Sequence, residues 1–155
     1  MRRLPIVGVM GSGRERHEAL AIPLGRWLAE RGAHLLTGGG GGVMDAVSEA
    51  VVGVSPQSGL CIGVLPGPAP PEGYPNASVE LPIRTHLPLS GARGTDPMSR
   101  NHLNALTPAC LVARPGGPGT ESALALAARY GTPSRRLDDP RALMACFEWI
   151  DDRLR

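Results

Sequence analysis

The stretch Arg114-Pro115-Gly116-Gly117-Pro118-Gly119-Thr120-Glu121-Ser122 joins two apolar segments of different character. Residues 109–113 before it are short and strand-like, and residues 122–130 after it are rich in Ala and Leu. The pattern predicts a strand, a glycine turn and a helix. The first turn of a helix has unpaired N–H groups and partial positive charge, and glycine lets an anion approach them closely. The stretch therefore predicts a phosphate site.

The rest of the chain alternates strand-like and helical patterns. Strands are predicted at residues 4–10, 33–37, 59–65, 79–83 and 109–113, with a short or edge strand at 134–137. Helices are predicted at residues 17–31, 43–52, 98–106 and 122–130, and from Asp139 onward. This alternation predicts a single domain over residues 1–155, a three-layer α/β fold with a parallel sheet. Ligands of such sheets bind beyond the carboxyl ends of the strands.

Two further glycine turns follow predicted strands, so we expect all three turns to gather at one edge of the sheet. Arg100 lies on the short helix before the fifth strand, and its planar guanidinium suits phosphate. Arg93 and Arg114 are weaker candidates of the same kind, whereas Asp45 is expected to compensate a helix dipole and Met44 to be core. The predicted ligand-binding residues are Gly11, Ser12, Gly13, Gly39, Gly40, Gly41, Gly42, Arg100, Gly116, Gly117, Gly119 and Thr120.

Composition excludes several function classes. All 16 basic residues are arginine, so the chain lacks the lysine that pyridoxal-phosphate chemistry and a Walker P-loop both require. The net charge of +2 and the 3% content of aromatic residues argue against a nucleic-acid partner. Gly11-Ser12-Gly13 could begin a dinucleotide fingerprint, but its sixth position is Arg16 and no acid ends the second strand. A nicotinamide oxidoreductase is therefore only a third choice.

Metal and membrane signals are also weak in the sequence. The three cysteines form no CxxC pair, and the four histidines have no metal-ligand spacing, so we expect buried thiols, no metal site and no resident cofactor. No apolar run approaches the length of a membrane span. The basic and apolar N-terminus fits a first strand better than a signal peptide, which predicts a cytoplasmic protein with no membrane partner.

Five segments, in this order, resemble the group that holds the Lonely Guy phosphoribohydrolases and the molybdenum cofactor carrier proteins. They are residues 6–13 (IVGVMGSG), 36–46 (LTGGGGGVMDA), 62–67 (IGVLPG), 99–106 (SRNHLNAL) and 115–120 (PGGPGT). The resemblance implies a Rossmann-like fold and a homodimer or homotetramer. It also implies a phosphate-bearing partner, either a nucleotide or a pterin-type cofactor. Members labelled "lysine decarboxylase" offer no guide, because this chain has no lysine.

The resemblance leaves two functions open. The Lonely Guy enzymes cleave the N-glycosidic bond of nucleoside 5′-monophosphates with the motif PGGxGTxxE and an arginine that Arg100 matches. This chain has Ala123 where the glutamate should stand, and Glu121 is the nearby acid, so an enzyme would use Arg100 and Glu121 as its catalytic pair. Asn104-Ala105-Leu106 instead resembles the carrier proteins. We favour a binding or carrier protein, with the phosphoribohydrolase as the alternative.

Overall fold

A computed structural model of the protein describes residues 3–114 and 116–155, so Pro115 of the glycine stretch lies outside the described residues. Within this part of the chain, one sheet contains six parallel strands in the order β4-β3-β2-β1-β5-β6. The strands are β1 (Ile6–Met10), β2 (His34–Thr37), β3 (Cys61–Val64), β4 (Leu81–Ile83), β5 (Cys110–Ala113) and β6 (Ser134–Arg136).

Helices connect these strands and cover both faces of the sheet. In the described residues they are α1 (Glu18–Arg31), α2 (Val43–Val52), α3 (Asn101–Leu106), α4 (Pro118–Tyr130) and α5 (Leu143–Leu154), with short 3₁₀ turns at Gly91–Arg93 and Pro140–Ala142. The main core lies between one sheet face and α1, α2 and α5, and includes Val7 and Val9 of β1. Met10 of the same strand packs instead with Leu126 of α4, on the opposite face. This alternation explains why the central strands are continuous apolar runs.

One helix pair approaches unusually closely because of a glycine. A Cβ atom added to Gly25 of α1 would lie 2.6 Å from the carbonyl oxygen of Val47 and 2.8 Å from the Cβ of Ala50, both on α2. Gly25 is therefore required for packing at this crossing, although glycine lowers the intrinsic stability of a helix.

The predicted fold class, a three-layer Rossmann-like α/β fold with a parallel sheet, is confirmed. Several boundaries differ from the prediction. Helix α4 begins at Pro118 rather than Ser122, because proline is well suited to the first helical position. Helix α3 begins at Asn101 rather than Met98, and a 3₁₀ turn after Asp139 precedes α5. The sixth strand is short and at the sheet edge, as predicted.

The strand order places a switch point at the centre of the sheet. From β1 the chain adds β2, β3 and β4 on one side, and then returns to add β5 and β6 on the other. The final residues of β1 and β5, Met10 and Ala113, are paired in register, and the connections leave them toward opposite sides. A crevice is expected at such a point. No helix in the described part of the chain is both long enough and apolar enough to span a bilayer.

Candidate anion-binding site

A cavity of about 600 Å³ opens at the carboxyl edge of the sheet, at this switch point. Its lining comes from the turns after β1, β2 and β5, from α2, from the first turn of α4, from α3 and the residue before it, and from two loops that precede α3. The lining residues are Met10, Gly11, Ser12, Gly13, Arg14, Gly38, Met44, Tyr74, Ser90, Gly91, Arg100, Asn101, Asn104, Gly117, Pro118, Gly119 and Thr120. The volume lies within the range of small-molecule sites.

Two of the three predicted glycine turns meet at this cavity. A Cβ atom added to Gly116 would lie 3.2 Å from the backbone nitrogen of Ser12, so the turns after β5 and β1 nearly touch. The Ser12 hydroxyl accepts hydrogen bonds from the backbone N–H groups of Arg14 and Glu15, at 3.1 and 3.0 Å, which holds the first turn in shape. Gly116 itself is not among the lining residues.

The N-terminus of α4 faces the cavity. Gly117 caps the helix in an extended conformation, and Pro118, Gly119 and the buried Thr120 form its first turn. The backbone N–H of Thr120 donates to the carbonyl of Gly117 at 3.1 Å. The dipole of this 13-residue helix directs partial positive charge at the cavity.

Arg100 enters the cavity from the residue just before α3 and is only 7% exposed. Its Nε donates to the carbonyl oxygen of Val64 at 3.0 Å, and its Nη1 donates to the Asn101 side-chain oxygen. Its Nη2 lies against Gly38, where an added Cβ would approach to 2.7 Å. Among the described residues no carboxylate forms an ion pair with it. Burial lowers the pKa of the guanidinium below its usual value, and Tyr74 partly opposes that shift.

Asn104 lies one helical turn beyond Arg100 and also lines the cavity. Its side chain is 1% exposed, and neither its Nδ2 nor its Oδ1 has a hydrogen-bond partner among the described residues. Asn101 differs, because its Oδ1 accepts the Arg100 hydrogen bond. The two asparagines of the helix therefore differ: Asn101 holds Arg100 in place, whereas the amide of Asn104 has no hydrogen-bond partner among the described residues.

The turn after β2 contributes less to the cavity than predicted. Gly38 lines it, whereas Gly39, Gly40, Gly41 and Gly42 do not. These four glycines permit close packing around the site. The backbone of Gly40 leaves room for the Tyr74 ring, 2.6 Å from an added Cβ, and its carbonyl accepts a hydrogen bond from Asn76 Nδ2 at 2.8 Å.

Glu121, the predicted catalytic acid, lies outside the cavity lining. Its carboxylate accepts two hydrogen bonds from Arg136, and the pair is about half exposed. Ala123, where the family glutamate would stand, is buried in the core beneath α4. Neither position brings a carboxylate to the site.

Two other predicted charged residues, Arg93 and Asp45, have local ion-pair partners. Arg93 pairs with Asp96 at 3.1 Å, and Asp45 pairs with Arg16 at 2.5 Å. Met44 is buried, as predicted for core, but it also lines the cavity.

Sequence reasoning missed several lining residues. Arg14 directly follows the first glycine turn, and that position was the available signal for a second cation at the site. Tyr74 and Ser90 come from proline- and glycine-rich loops whose path over the sheet has no local sequence signal. Within the described residues, no group of three or more His, Cys, Asp or Glu side chains is arranged to hold a metal ion.

The sheet order and the cavity at its switch point define a Rossmann-like α/β protein. The chain belongs to the SLOG cluster4 family, whose model matches residues 4–148. The suspected membership in the Lonely Guy and molybdenum cofactor carrier group is thus confirmed.

Three relatives illustrate the comparison. The chain is similar to an uncharacterized protein of Archaeoglobus fulgidus, with 29% identity over 150 residues that cover 94% of this chain and 89% of the relative. It is similar in structure to the molybdenum cofactor binding protein of Rippkaea orientalis, at a TM-score of 0.71 and 31% identity over 99% of this chain and 88% of that one. The molybdenum cofactor carrier protein of Chlamydomonas reinhardtii also gives a TM-score of 0.71, with 34% identity over 98% and 88% of the two chains.

Proposed function

We propose that this protein binds, and carries without turnover, a small molecule that bears a phosphate group. The observation that carries the proposal is Arg100, a buried arginine that lines the cavity and has no carboxylate partner among the described residues. Its guanidinium and the N-terminus of α4 line the same cavity. An anion placed between them would meet a planar hydrogen-bond donor on one side and the positive end of the α4 dipole on the other.

Electrostatics favours an anionic ligand at this position. A buried charge without a counter-ion costs several kcal/mol, and the cost falls when an opposite charge and hydrogen bonds compensate it. Arg100 already uses Nε and Nη1 on protein acceptors, which leaves Nη2 toward Gly38 and the cavity. The exposed Arg14 adds a second positive charge at the cavity rim.

The similar proteins suggest the class of cargo. The Rippkaea protein is a molybdenum cofactor binding protein, and the Chlamydomonas protein is a molybdenum cofactor carrier protein. We propose that the ligand here is that cofactor or a related phosphate-bearing pterin. The described lining has hydrogen-bonding and apolar groups but no thiol, imidazole or carboxylate. Such a lining fits a cargo held by its phosphate and its organic ring, with no protein ligand to a metal.

The hydrolase alternative is less well supported. Cleavage of an N-glycosidic bond needs an acid or base within hydrogen-bond reach of the reacting atoms. The described lining contains no carboxylate, and Glu121 is engaged by Arg136 outside it. A phosphoribosyl compound in this cavity would therefore be bound without being cleaved.

The binding proposal can be tested by calorimetric titration with ribose 5-phosphate and adenosine 5′-monophosphate as probes. Arg100→Met removes the charge and keeps most of the volume, and Arg93→Met is the matched control because Arg93 lies outside the lining. We expect Arg100→Met to weaken both probes at least tenfold and Arg93→Met to change them less than twofold. Equal affinity of the Arg100 variant and the wild type would refute the site.

Turnover and cargo need separate measurements. Prolonged incubation with adenosine 5′-monophosphate should release no free adenine, and steady release at a rate that depends on Glu121 would establish the hydrolase instead. Native mass spectrometry of the freshly purified protein, followed by denaturation, should identify a bound phosphorylated pterin. A retained nucleotide in its place would keep the carrier function and change its cargo.

A further inference from the structure

The cavity contains a buried polar group that phosphate binding does not require. Asn104 is 1% exposed, it lines the cavity, and both its amide nitrogen and its amide oxygen lack partners among the described residues. Buried side-chain amides in proteins are normally hydrogen-bonded, and an unpaired one is a specific feature that requires explanation. A ligand that supplies both missing partners would explain it.

We propose that Asn104 recognises the ring edge of the ligand, and that the ligand is therefore a phosphorylated nitrogen heterocycle rather than a simple sugar phosphate. This inference rests on the proposed function, because it assumes that the phosphate is held by Arg100 and α4. A primary amide presents one acceptor and two donor hydrogens. It pairs through two hydrogen bonds with any ring edge that has a donor beside an acceptor, as pterins and purines have.

The position of Asn104 suits this role. Arg100 and Asn104 are four residues apart on consecutive turns, so their Cβ atoms are about 6 Å apart on one face of the helix. One side chain can thus contact the phosphate while the other contacts a ring attached a few bonds away. Met10, Met44 and Tyr74 line the same cavity, and side chains of these types pack well against flat rings.

Asn101 shows that the unsatisfied amide is not a general property of this helix. Its Oδ1 accepts a hydrogen bond from Arg100, and its backbone N–H donates to the Ser99 hydroxyl at 3.1 Å. Asn101 therefore positions the arginine, whereas Asn104 has no described partner to position. The neighbouring pair provides an internal comparison for a test.

The test uses two probes that share a phosphate and differ in the ring. Guanosine 5′-monophosphate has the phosphate, the ribose and a fused nitrogen ring with a lactam edge, whereas ribose 5-phosphate has the phosphate and the sugar but no nitrogen ring. Asn104→Leu removes both amide hydrogen-bonding groups at similar volume. Two lost hydrogen bonds should weaken guanosine 5′-monophosphate roughly tenfold to a hundredfold, and ribose 5-phosphate should change less than twofold.

Each outcome decides between the claims. If Asn104→Leu weakens neither probe, or weakens both equally, the ring-edge role is overturned while phosphate binding stands. The wild-type protein gives an independent check that no folding defect can confuse, since ribose 5-phosphate binding as tightly as the nucleotide would also overturn it. If the wild type binds neither probe, the proposed function itself fails and the ring-edge role fails with it.

Discussion

The guanidinium of Arg136 donates two hydrogen bonds to the carboxylate of Glu121, at 2.8 and 2.9 Å. The pair ties the first turn of α4 to the edge strand β6, and its two side chains are 49% and 52% exposed. The only acid in the glycine stretch is thus directed at an arginine outside the cavity. The same carboxylate also lies in the first turn of α4, where its negative charge interacts favourably with the positive end of the helix dipole. Its role in this fold is electrostatic and structural.

The first prediction concerns this pair. Glu121→Gln should leave the affinity for ribose 5-phosphate within twofold of the wild-type value, because the carboxylate does not line the cavity. Calorimetric titration at fixed ionic strength measures the effect, with Arg100→Met as the variant that must lose binding. A tenfold loss in Glu121→Gln would place the carboxylate at the ligand and revive the hydrolase mechanism.

The second prediction is a pH dependence of stability. The hydrogen bonds from Arg136 lower the pKa of Glu121 below its usual 4.5. A carboxylate whose pKa is lower in the folded state stabilises the fold above pH 4.5, and that stabilisation is lost as the pH falls through the lowered value. The melting temperature of the wild type should therefore fall more steeply than that of Glu121→Gln between about pH 5 and about pH 3.

Arg136→Gln serves as the partner control in that experiment. It removes the cause of the lowered Glu121 pKa while keeping the carboxylate. The fall of its melting temperature with decreasing pH should therefore resemble that of Glu121→Gln. The difference should be small because both groups are solvent-exposed. If the melting temperatures of all three proteins fall equally steeply with decreasing pH, the ion pair does not persist in solution.

Continuous apolar runs and helical spacing were enough to predict the sheet, its parallel strands and the edge position of β6. These patterns were less informative about which residues line the cavity, because that depends on packing between segments far apart in the sequence. The glycine turn after β2 was predicted to bind ligand because it is denser in glycine than a tight turn requires. In the structure Gly40 makes room for Tyr74, which is more than thirty residues away and is brought there by a proline-rich loop, and its neighbours Gly39, Gly41 and Gly42 lie against Leu65, Gly13 and Ser12.

The candidate site shows the same division. The turns after β1 and β5 follow from local chemistry, and so does the suitability of Arg100 for phosphate. The burial of Asn104 and the pairing of Glu121 depend on how α3 and β6 pack, which no local pattern specifies. The sequence itself has Ala123 where the family glutamate would stand, and the structure adds that this side chain belongs to the core.

The third prediction separates glycines needed for folding from those needed for binding. Gly42 has φ +62°, and an added Cβ would overlap the Ser12 carbonyl oxygen. Gly42→Ala should cost at least about 1–3 kcal/mol from backbone strain alone, which is roughly 2–10 °C in melting temperature. Gly117→Ala should lower the melting temperature much less, because its extended conformation suits alanine and, chain neighbours aside, no atom of the described residues lies within 4 Å of its added Cβ, which leaves only the modest cost of alanine at a helix N-cap.

Ligand titration completes that comparison. The methyl group that Gly117→Ala introduces would stand at the cap of α4, in the cavity lining, where the phosphate is proposed to bind. We expect Gly117→Ala to weaken ribose 5-phosphate binding although it is far less destabilised than Gly42→Ala. A stable Gly117→Ala protein with wild-type affinity would move the phosphate away from this helix end.

The fourth prediction concerns the three cysteines. Cys61, Cys110 and Cys146 are buried, and burial raises the pKa of their thiols to about 12, 12 and 11. Thiolate formation is therefore suppressed at neutral pH, and reagents have no access. The native protein should resist labelling by a disulfide reagent near pH 8, and all three thiols should react after denaturation. Rapid labelling of one thiol in the native state would contradict the core packing around it.

The last prediction uses the two asparagines of α3 to test stability against function. Asn104 carries an unpaired buried amide, so Asn104→Leu removes a desolvation cost of about 1–3 kcal/mol and should raise the melting temperature of the ligand-free protein by at least roughly 2 °C. Asn101→Leu is the matched control and should lower the melting temperature, because it strips an acceptor from the buried Arg100. Scanning calorimetry of the ligand-free proteins measures both.

A stability gain in Asn104→Leu would mean that the asparagine is kept at a cost to the fold, as expected of a group that binds ligand. A loss as large as that of Asn101→Leu would instead show that the amide stabilises the free protein, and it would remove the reason to assign Asn104 to a ligand.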